Sequence, residues 1–322
     1  MSSFSEEHEE SRRTERRATE RRSDDRRERM EPRDTVERRS QQRRHAIRRS
    51  TDEVVAEALV PHLPTKAYRD MDFLTGPKAR TLRILAEYLE PEERFEQQDV
   101  GNTIVFFGSA RSRPEAEVRA ELEAAKLPAD IERLQNALRL ARYYEEARAL
   151  SRMLTEWSQE ICHSGRDGFV LASGGGPGMM EACNRGAHEA GGRSIGLNIS
   201  LPLEQDPNPY ITPELNVEFH YFFMRKLWFV QLAIGMVAFP GGFGTLDELA
   251  EVLTLIQTQR SSSMPIVVYG KKFWEETVDF DALVRWGTIS PQDLDLFHIS
   301  DDPEEAFAYM KKQLEPTLRA SS

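Results

Sequence analysis

Short, continuous apolar runs alternate along this chain with longer stretches whose apolar residues recur at three- and four-residue steps. Thr103-Ile104-Val105-Phe106-Phe107 is the clearest run. It is β-branched and aromatic, has polar neighbours, and ends in Gly108-Ser109, which predicts a strand buried on both faces of a parallel sheet. Phe169–Ala172, Arg193–Ile199, Val217–Tyr221, Met236–Phe239 and Pro265–Tyr269 read the same way, making six strands. Between them lie helical patterns. Leu134, Leu138, Ala141, Tyr144, Ala147, Leu150, Leu154 and Trp157 mark a long helix over about Ala129–His163, and shorter helices are predicted over Met179–Glu189, Met224–Ile234 and Leu246–Gln259. Further helices are expected at about Lys272–Trp286, Pro291–Leu296 and Pro303–Leu314. Strands alternating with helices imply an α/β fold, a Rossmann-like parallel sheet with helices on both faces and helical N- and C-terminal extensions.

The N-terminal third departs from this pattern. Residues 1–50 hold 16 Arg, no Lys and 12 Asp and Glu, with few apolar side chains among them Phe4, Met30 and Ile47. The segment is near +4, so the formal charge of −11 leaves the other 272 residues at about −15. It cannot bury enough surface to offset its ordering entropy, and it reads either as disordered or as a helix held by i,i+4 Glu–Arg pairs. Its role reads either as a solubilising tail or as an arm that touches RNA, an acidic partner or its own acidic domain. Residues 51–100 become amphipathic: Val54, Val55, Ala58 and Leu59 form one stripe, and Leu82, Leu85, Ala86 and Leu89 another. The expected organisation is an Arg/Glu-rich arm over 1–50, a helical extension over 51–100 packed on the main domain, and a nucleotide-binding catalytic domain with C-terminal helices over 101–322.

Composition narrows the function classes. The acidic balance argues against general nucleic-acid binding, which draws on clustered cations. Cys162 and Cys183 make no disulfide framework and fit a reduced setting. No apolar run approaches the roughly 20 residues of a membrane span and no hydrophobic leader is seen, so a cytoplasmic protein without membrane association is expected.

Two loops hold the candidate chemistry. In Ser173-Gly174-Gly175-Gly176-Pro177-Gly178-Met179-Met180-Glu181, glycines follow a strand and open a helix. The backbone there can approach a ligand closely, and the unpaired N–H groups and positive dipole end of the helix suit a phosphate. A tight βα turn is the plainer explanation, although a turn alone rarely needs so many glycines. The second loop, Pro240-Gly241-Gly242-Phe243-Gly244-Thr245-Leu246-Asp247-Glu248, repeats the design with a hydroxyl and two carboxylates; those carboxylates could simply complement the helix dipole. Neither loop is a Walker A or a G-x-G-x-x-G. Met224-Arg225-Lys226 opens the preceding helix with two cations, which oppose its dipole unless an anion lies near. Ser109 and Arg111, after the first strand, are further ligand candidates. Met179, Met180, Phe222 and Phe223 read either as base-pocket lining or as core. His163, His188 and His220 show no metal-ligand spacing, and neither a metal nor another cofactor is expected.

Gly174-Gly175-Gly176-Pro177-Gly178-Met179-Met180-Glu181-Ala182, Met224-Arg225-Lys226 and the P-G-G-x-G-T-x-x-E stretch Pro240–Glu248 together resemble the motifs of the LOG (Lonely Guy) family, cytokinin-activating phosphoribohydrolases long mislabelled "lysine decarboxylases". The resemblance runs from about Thr103 to Tyr269 and is to the longer bacterial members. It implies hydrolysis of a nucleoside 5′-monophosphate, AMP or a cytokinin riboside 5′-monophosphate, to free base and ribose 5-phosphate. It also implies Arg225 and Glu248 as the catalytic pair, and Gly175, Gly176, Gly241, Gly242, Gly244 and Thr245 as the phosphate cradle. With Ser109, Met180 and Lys226 these make up the expected substrate-binding set. A homodimer or higher homo-oligomer is implied too. In chemical terms, a carboxylate at Glu248 can stabilise the positive charge that develops on the sugar or activate a water, and Arg225 can bind the anionic substrate and orient that carboxylate. A non-catalytic nucleotide sensor or carrier, which needs the glycine loops but neither Arg225 nor Glu248, is the alternative. A decarboxylase would need a lysine placed for pyridoxal phosphate, and no lysine has a recognisable context for it.

Overall fold

The computed structural model describes residues 64–165, 167–200 and 206–319. The Arg-rich segment 1–50 and the stripe Val54, Val55, Ala58 and Leu59 lie outside the described residues. The chain divides into two compact units, the second spanning Met71–Ser322; of the first, the described residues include a single 3-10 turn at Ala67–Arg69.

The second unit begins with helices α1 (Met71–Thr75) and α2 (Arg80–Gln97). Strand β1 (Thr103–Phe107) then leads to α3 (Glu115–Ala124) and the long α4 (Pro128–His163). There follow β2 (Val170–Ser173), α5 (Met179–Glu189), β3 (Ser194–Ile199), β4 (Asn216–Phe219), α6 (Phe222–Gln231), β5 (Ala233–Ala238) and α7 (Phe243–Gln257). The unit ends with β6 (Ile266–Tyr269), α8 (Lys271–Thr277), α9 (Phe280–Arg285), β7 (His298–Ser300) and α10 (Pro303–Arg319). The strands form one sheet in the order β4-β3-β2-β1-β5-β6-β7, and every pair is parallel. This is the expected Rossmann-like α/β fold, with one more strand than the sequence pattern predicts.

Period-two alternation assigns the strand side chains to two cores. Ile104 and Phe106 of β1 join Leu150, Leu154 and Trp157 of α4, Met179 and Cys183 of α5 and Met310 of α10. Val105 and Phe107 face the other way, with Phe95, Trp228, Phe229, Leu249 and Trp274. A sheet buried on both faces explains why its strands read as unbroken apolar runs. Strand order reverses between β1 and β5, and such a switch point opens a crevice beyond the carboxyl ends of the strands.

Several expected elements shift. The stripe Leu82, Leu85 and Leu89 is exposed. The buried side of α2 holds Pro91 and Phe95 instead, and its docking is set by polar contacts. The Glu87 carboxylate accepts from His220 N (2.9 Å) and Tyr221 N (3.1 Å), Trp228 Nε1 donates to Glu87 O (3.0 Å), and Phe95 meets the Trp228 ring edge-on at 5.5 Å. Unpaired N–H groups at the start of α6 need an acceptor, and satisfying them turns α2 away from its most apolar face. The single helix expected over Lys272–Trp286 is two, because the Asp279 side chain accepts from Ala282 N (2.8 Å) and restarts the helix. The expected helix Met224–Ile234 runs Phe222–Gln231 and yields to β5 at Ala233. Two elements escape the apolar pattern altogether. Helix α3 buries only Val118 and is laced by Arg113 to Glu117 and Glu121, and β7 is a three-residue edge strand.

Candidate active site

Three strand ends converge where the sheet order reverses. Beyond β1, Ser109 N donates to Pro240 O (2.9 Å), and Ser109 O accepts from Met179 N (3.0 Å). The β1 loop therefore ties the second glycine loop to the start of α5. Gly178 has φ +76°, and a Cβ there would strike Ser109 O and Ala110; only glycine permits this approach. A Cβ on Gly174 would run into the Arg225 guanidinium.

A cavity of about 720 Å³ opens at this junction. It brings together Ser109, Gly176, Met180, Arg225, Gly241, Gly242, Gly244, Thr245 and Glu248 from the expected set. Gly175 and Lys226 are not among its lining residues. Gly175 is buried behind the loop. Lys226 Nζ sits 2.9 Å from both Asp247 Oδ2 and Glu251 Oε2; burial opposes its charge, but these two carboxylates outweigh that and hold its pKa up at about 12. The lining also contains Phe107, Arg111, Asn198, Ile199, Phe222, Phe229 and Phe273. Met179 is fully buried in the core, and Phe223 lies against the Tyr221 ring at 5.6 Å.

Helix α7 starts at Phe243, three residues earlier than the apolar pattern suggests, so Gly244 and Thr245 belong to its first turn. Glu248 lies one turn on and is 8% exposed. Its Oε2 has no hydrogen-bond partner among the described residues. Burial raises its pKa to about 7, against the opposing pull of Lys226. Arg225 donates from Nε to Leu197 O (2.6 Å) and from Nη2 to Gly174 O (3.1 Å), and its guanidinium carbon lies 5.1 Å from the Phe229 ring centre. Burial lowers its pKa to about 10, so it is charged at neutral pH. No hydrogen bond or ion pair within 4.0 Å joins Arg225 to Glu248; backbone carbonyls, not the carboxylate, fix the guanidinium. Arg225 and Glu248 still act on each other through space, each shifting the other's charge balance in the direction expected of opposite charges.

The first glycine loop rests on side chains that the motif does not include. Asn208 is buried; its N and Nδ2 donate to Gly175 O (2.8 and 3.0 Å), and Nδ2 also reaches Gly176 O (3.1 Å) and Asn184 Oδ1 (2.9 Å). Ser173 Oγ donates to Asn184 Oδ1 (2.7 Å) and accepts from Gly175 N (3.1 Å). With their carbonyls held on this side, the loop peptides are oriented for a ligand on the other. In sequence, Asp206-Pro207-Asn208-Pro209 reads as turn chemistry, and nothing in its spacing points to the glycines 33 positions away.

A family described as "Possible lysine decarboxylase" matches residues 180–310. Over 136 residues, 41% of this chain and 53% of the relative, the chain is 28% identical to "Probable cytokinin riboside 5'-monophosphate phosphoribohydrolase LOGL5" of Oryza sativa subsp. japonica. The match thus spans about half the length of that relative. An uncharacterized protein of Archaeoglobus fulgidus is 28% identical over 109 residues, 34% of this chain and 69% of that one. Among solved structures, the molybdenum cofactor binding protein of Rippkaea orientalis aligns at TM-score 0.39 and 16% identity, covering 65% of this chain and 94% of that one. The molybdenum cofactor carrier protein of Chlamydomonas reinhardtii aligns at 0.38 and 17%, covering 66% and 98%. The LOG resemblance read from the three motifs therefore stands on independent matches, the family match taking in Arg225 and the whole second loop. The decarboxylase description implies a lysine-held pyridoxal phosphate. Among the described residues no lysine lines the cavity, and Lys226 is engaged by two carboxylates, so these residues do not fit that cofactor.

Proposed function

We propose that the protein hydrolyses the N-glycosidic bond of a nucleoside 5′-monophosphate, giving free base and ribose 5-phosphate. The observation that carries this reading is the buried Glu248 carboxyl, one Oε2 unpartnered, in a cavity shared with Arg225 and both glycine loops. The helix starts at Met179 and Phe243 supply N–H groups for the phosphate, and anchoring it fixes the sugar. As the bond from C1′ to the base nitrogen lengthens, its electron pair leaves on the base and positive charge grows on the sugar. An ionised Glu248 stabilises that charge and takes a proton from the water that adds to C1′; a proton passes to the departing base nitrogen and Glu248 returns to its ionised form, so that water is divided between sugar and base. A pKa near 7 suits such a base. Arg225, held on two carbonyls, presents its remaining N–H groups to the anionic substrate without reorganising. Phe107, Ile199 and Phe222 offer an apolar wall to the base. Cytokinin riboside 5′-monophosphates, supported by the rice relative's name, and AMP, favoured by the motif resemblance alone, are the substrates of choice. The resemblance also favours a homodimer, which light scattering of the purified chain checks.

The test is release of base and ribose 5-phosphate from a panel of nucleoside 5′-monophosphates, followed by chromatography. Glu248→Gln is expected to slow release by about 10²–10⁴-fold, and kcat/KM of the parent to rise with pH through about 7 as Glu248 ionises. Binding without release from any nucleotide would sink the hydrolase reading and favour a sensor.

A further inference from the structure

The lining of the 720 Å³ cavity includes two cations, Arg225 and Arg111, and two acidic groups, Asp247 and Glu248. Arg225 is buried, with Nε and Nη2 already committed to the carbonyls of Leu197 and Gly174. Lys226, the other cation expected to meet a phosphate, is neutralised by Asp247 and Glu251. Arg111 differs from both. It is exposed, and its side chain has no hydrogen-bond or ion-pair partner among the described residues.

The backbone beneath Arg111 is held in place. Arg111 N donates to Ser109 Oγ (3.1 Å), and Ser112 Oγ to Ser109 O (3.0 Å). Ser109 in turn bonds the second glycine loop through Pro240 O and the start of α5 through Met179 N. Ala110 lies so close to Gly178 that no side chain fits between them. Arg111 thus springs from the seam between the two helix N-termini, on a loop fastened to both.

We propose that Arg111 is the residue that reads the 5′-phosphate, and so makes this site select nucleotides over nucleosides. The inference rests on the nucleotide-binding part of the function proposed above. A phosphate dianion entering beside Glu248 meets like charge, and the helix N-termini supply only partial positive charge. A free guanidinium can close on two phosphate oxygens at once, which a lysine cannot match.

The test uses the full chain and ribose 5-phosphate, which has no base to lose, in calorimetric titrations at two salt concentrations. Arg111→Ala is expected to weaken ribose 5-phosphate binding at least tenfold, to flatten its salt dependence, and to leave the melting temperature unchanged. Arg111→Lys should recover part of the affinity. With AMP as substrate, Arg111→Ala should raise KM by a similar factor while kcat stays within about threefold. Undiminished ribose 5-phosphate binding by Arg111→Ala would overturn the proposal, as would a parent that binds no ribose 5-phosphate. A loss accompanied by a lower melting temperature and no rescue by lysine would overturn it too, assigning Arg111 to loop structure. Selective loss of binding in a chain that never releases base would leave Arg111 in place and defeat only the hydrolase reading.

Discussion

The two glycine loops look alike in sequence and differ in the folded chain. The loop after β2 is buried at Gly174, Gly175, Gly176 and Gly178 and braced from behind by Asn208, Asn184 and Ser173. The loop after β5 is open: Gly242 and Gly244 are exposed, and the Phe243 ring is 92% exposed. The closed loop has no ionisable group on the cavity, whereas the open one brings Asp247 and Glu248 to it. One loop brings backbone and Met180 to the cavity, and the other brings ionisable side chains. A shared glycine pattern therefore reports a backbone path, not a shared task.

Substitutions that treat the loops as equals should break this comparison. The largest effect is expected from Gly178→Ala. It adds a Cβ at φ +76° against the backbone of Ser109 and Ala110, so it should cost roughly 2–4 kcal/mol by combining strain with a clash and lower the melting temperature sharply. Gly242→Ala meets nothing within 4 Å and should stay within about 0.5 kcal/mol; equal losses at the two positions would erase the distinction.

Glu248→Gln comes next and has the opposite sign. A carboxyl whose pKa is raised by folding contributes stability when protonated. That stability is complete below the unfolded value of 4.5 and is lost as pH rises through about 7. Glutamine mimics the protonated form, so the variant should melt higher than the parent, by a margin that widens from pH 5 to pH 8 and reaches roughly 3 kcal/mol at most. A margin independent of pH would show that Glu248 ionises normally.

The smallest stability loss of functional weight is expected from Asn208→Ala. It removes the Nδ2 donor from the Gly176 carbonyl, while Asn208 N still serves Gly175 O, and should cost about 1–3 kcal/mol. Because the braced loop brings backbone rather than ionisable side chains to the cavity, the same change should raise KM for a nucleotide more than it lowers kcat. An unaltered KM in a destabilised variant would reduce Asn208 to packing.

Much of this was legible in the chain. Continuous apolar runs identified the central strands because a sheet covered on both faces has no polar side to alternate with. The glycine loops and Arg225 were legible because close backbone approach and charge at a helix start leave few residue choices. Helix α3 and strand β7 were not, since one is held by ion pairs around a single buried Val118 and the other is three residues at an edge. Leu82, Leu85 and Leu89 misled for a related reason: periodicity identifies an apolar face but not which neighbour needs an acceptor, and Glu87 decided the docking of α2.

The local chemistry of the site, its glycines, its cation and its carboxylate, was determined by residue type and spacing along the chain. Tertiary structure decided which of these groups share one cavity, that Lys226 is spent on carboxylates while Arg111 is not, and that Glu248 is desolvated enough to hold a proton near neutral pH. The reason is physical: backbone preferences act over a few residues, whereas burial and charge depend on everything the fold brings within a few ångströms, most of it distant in sequence.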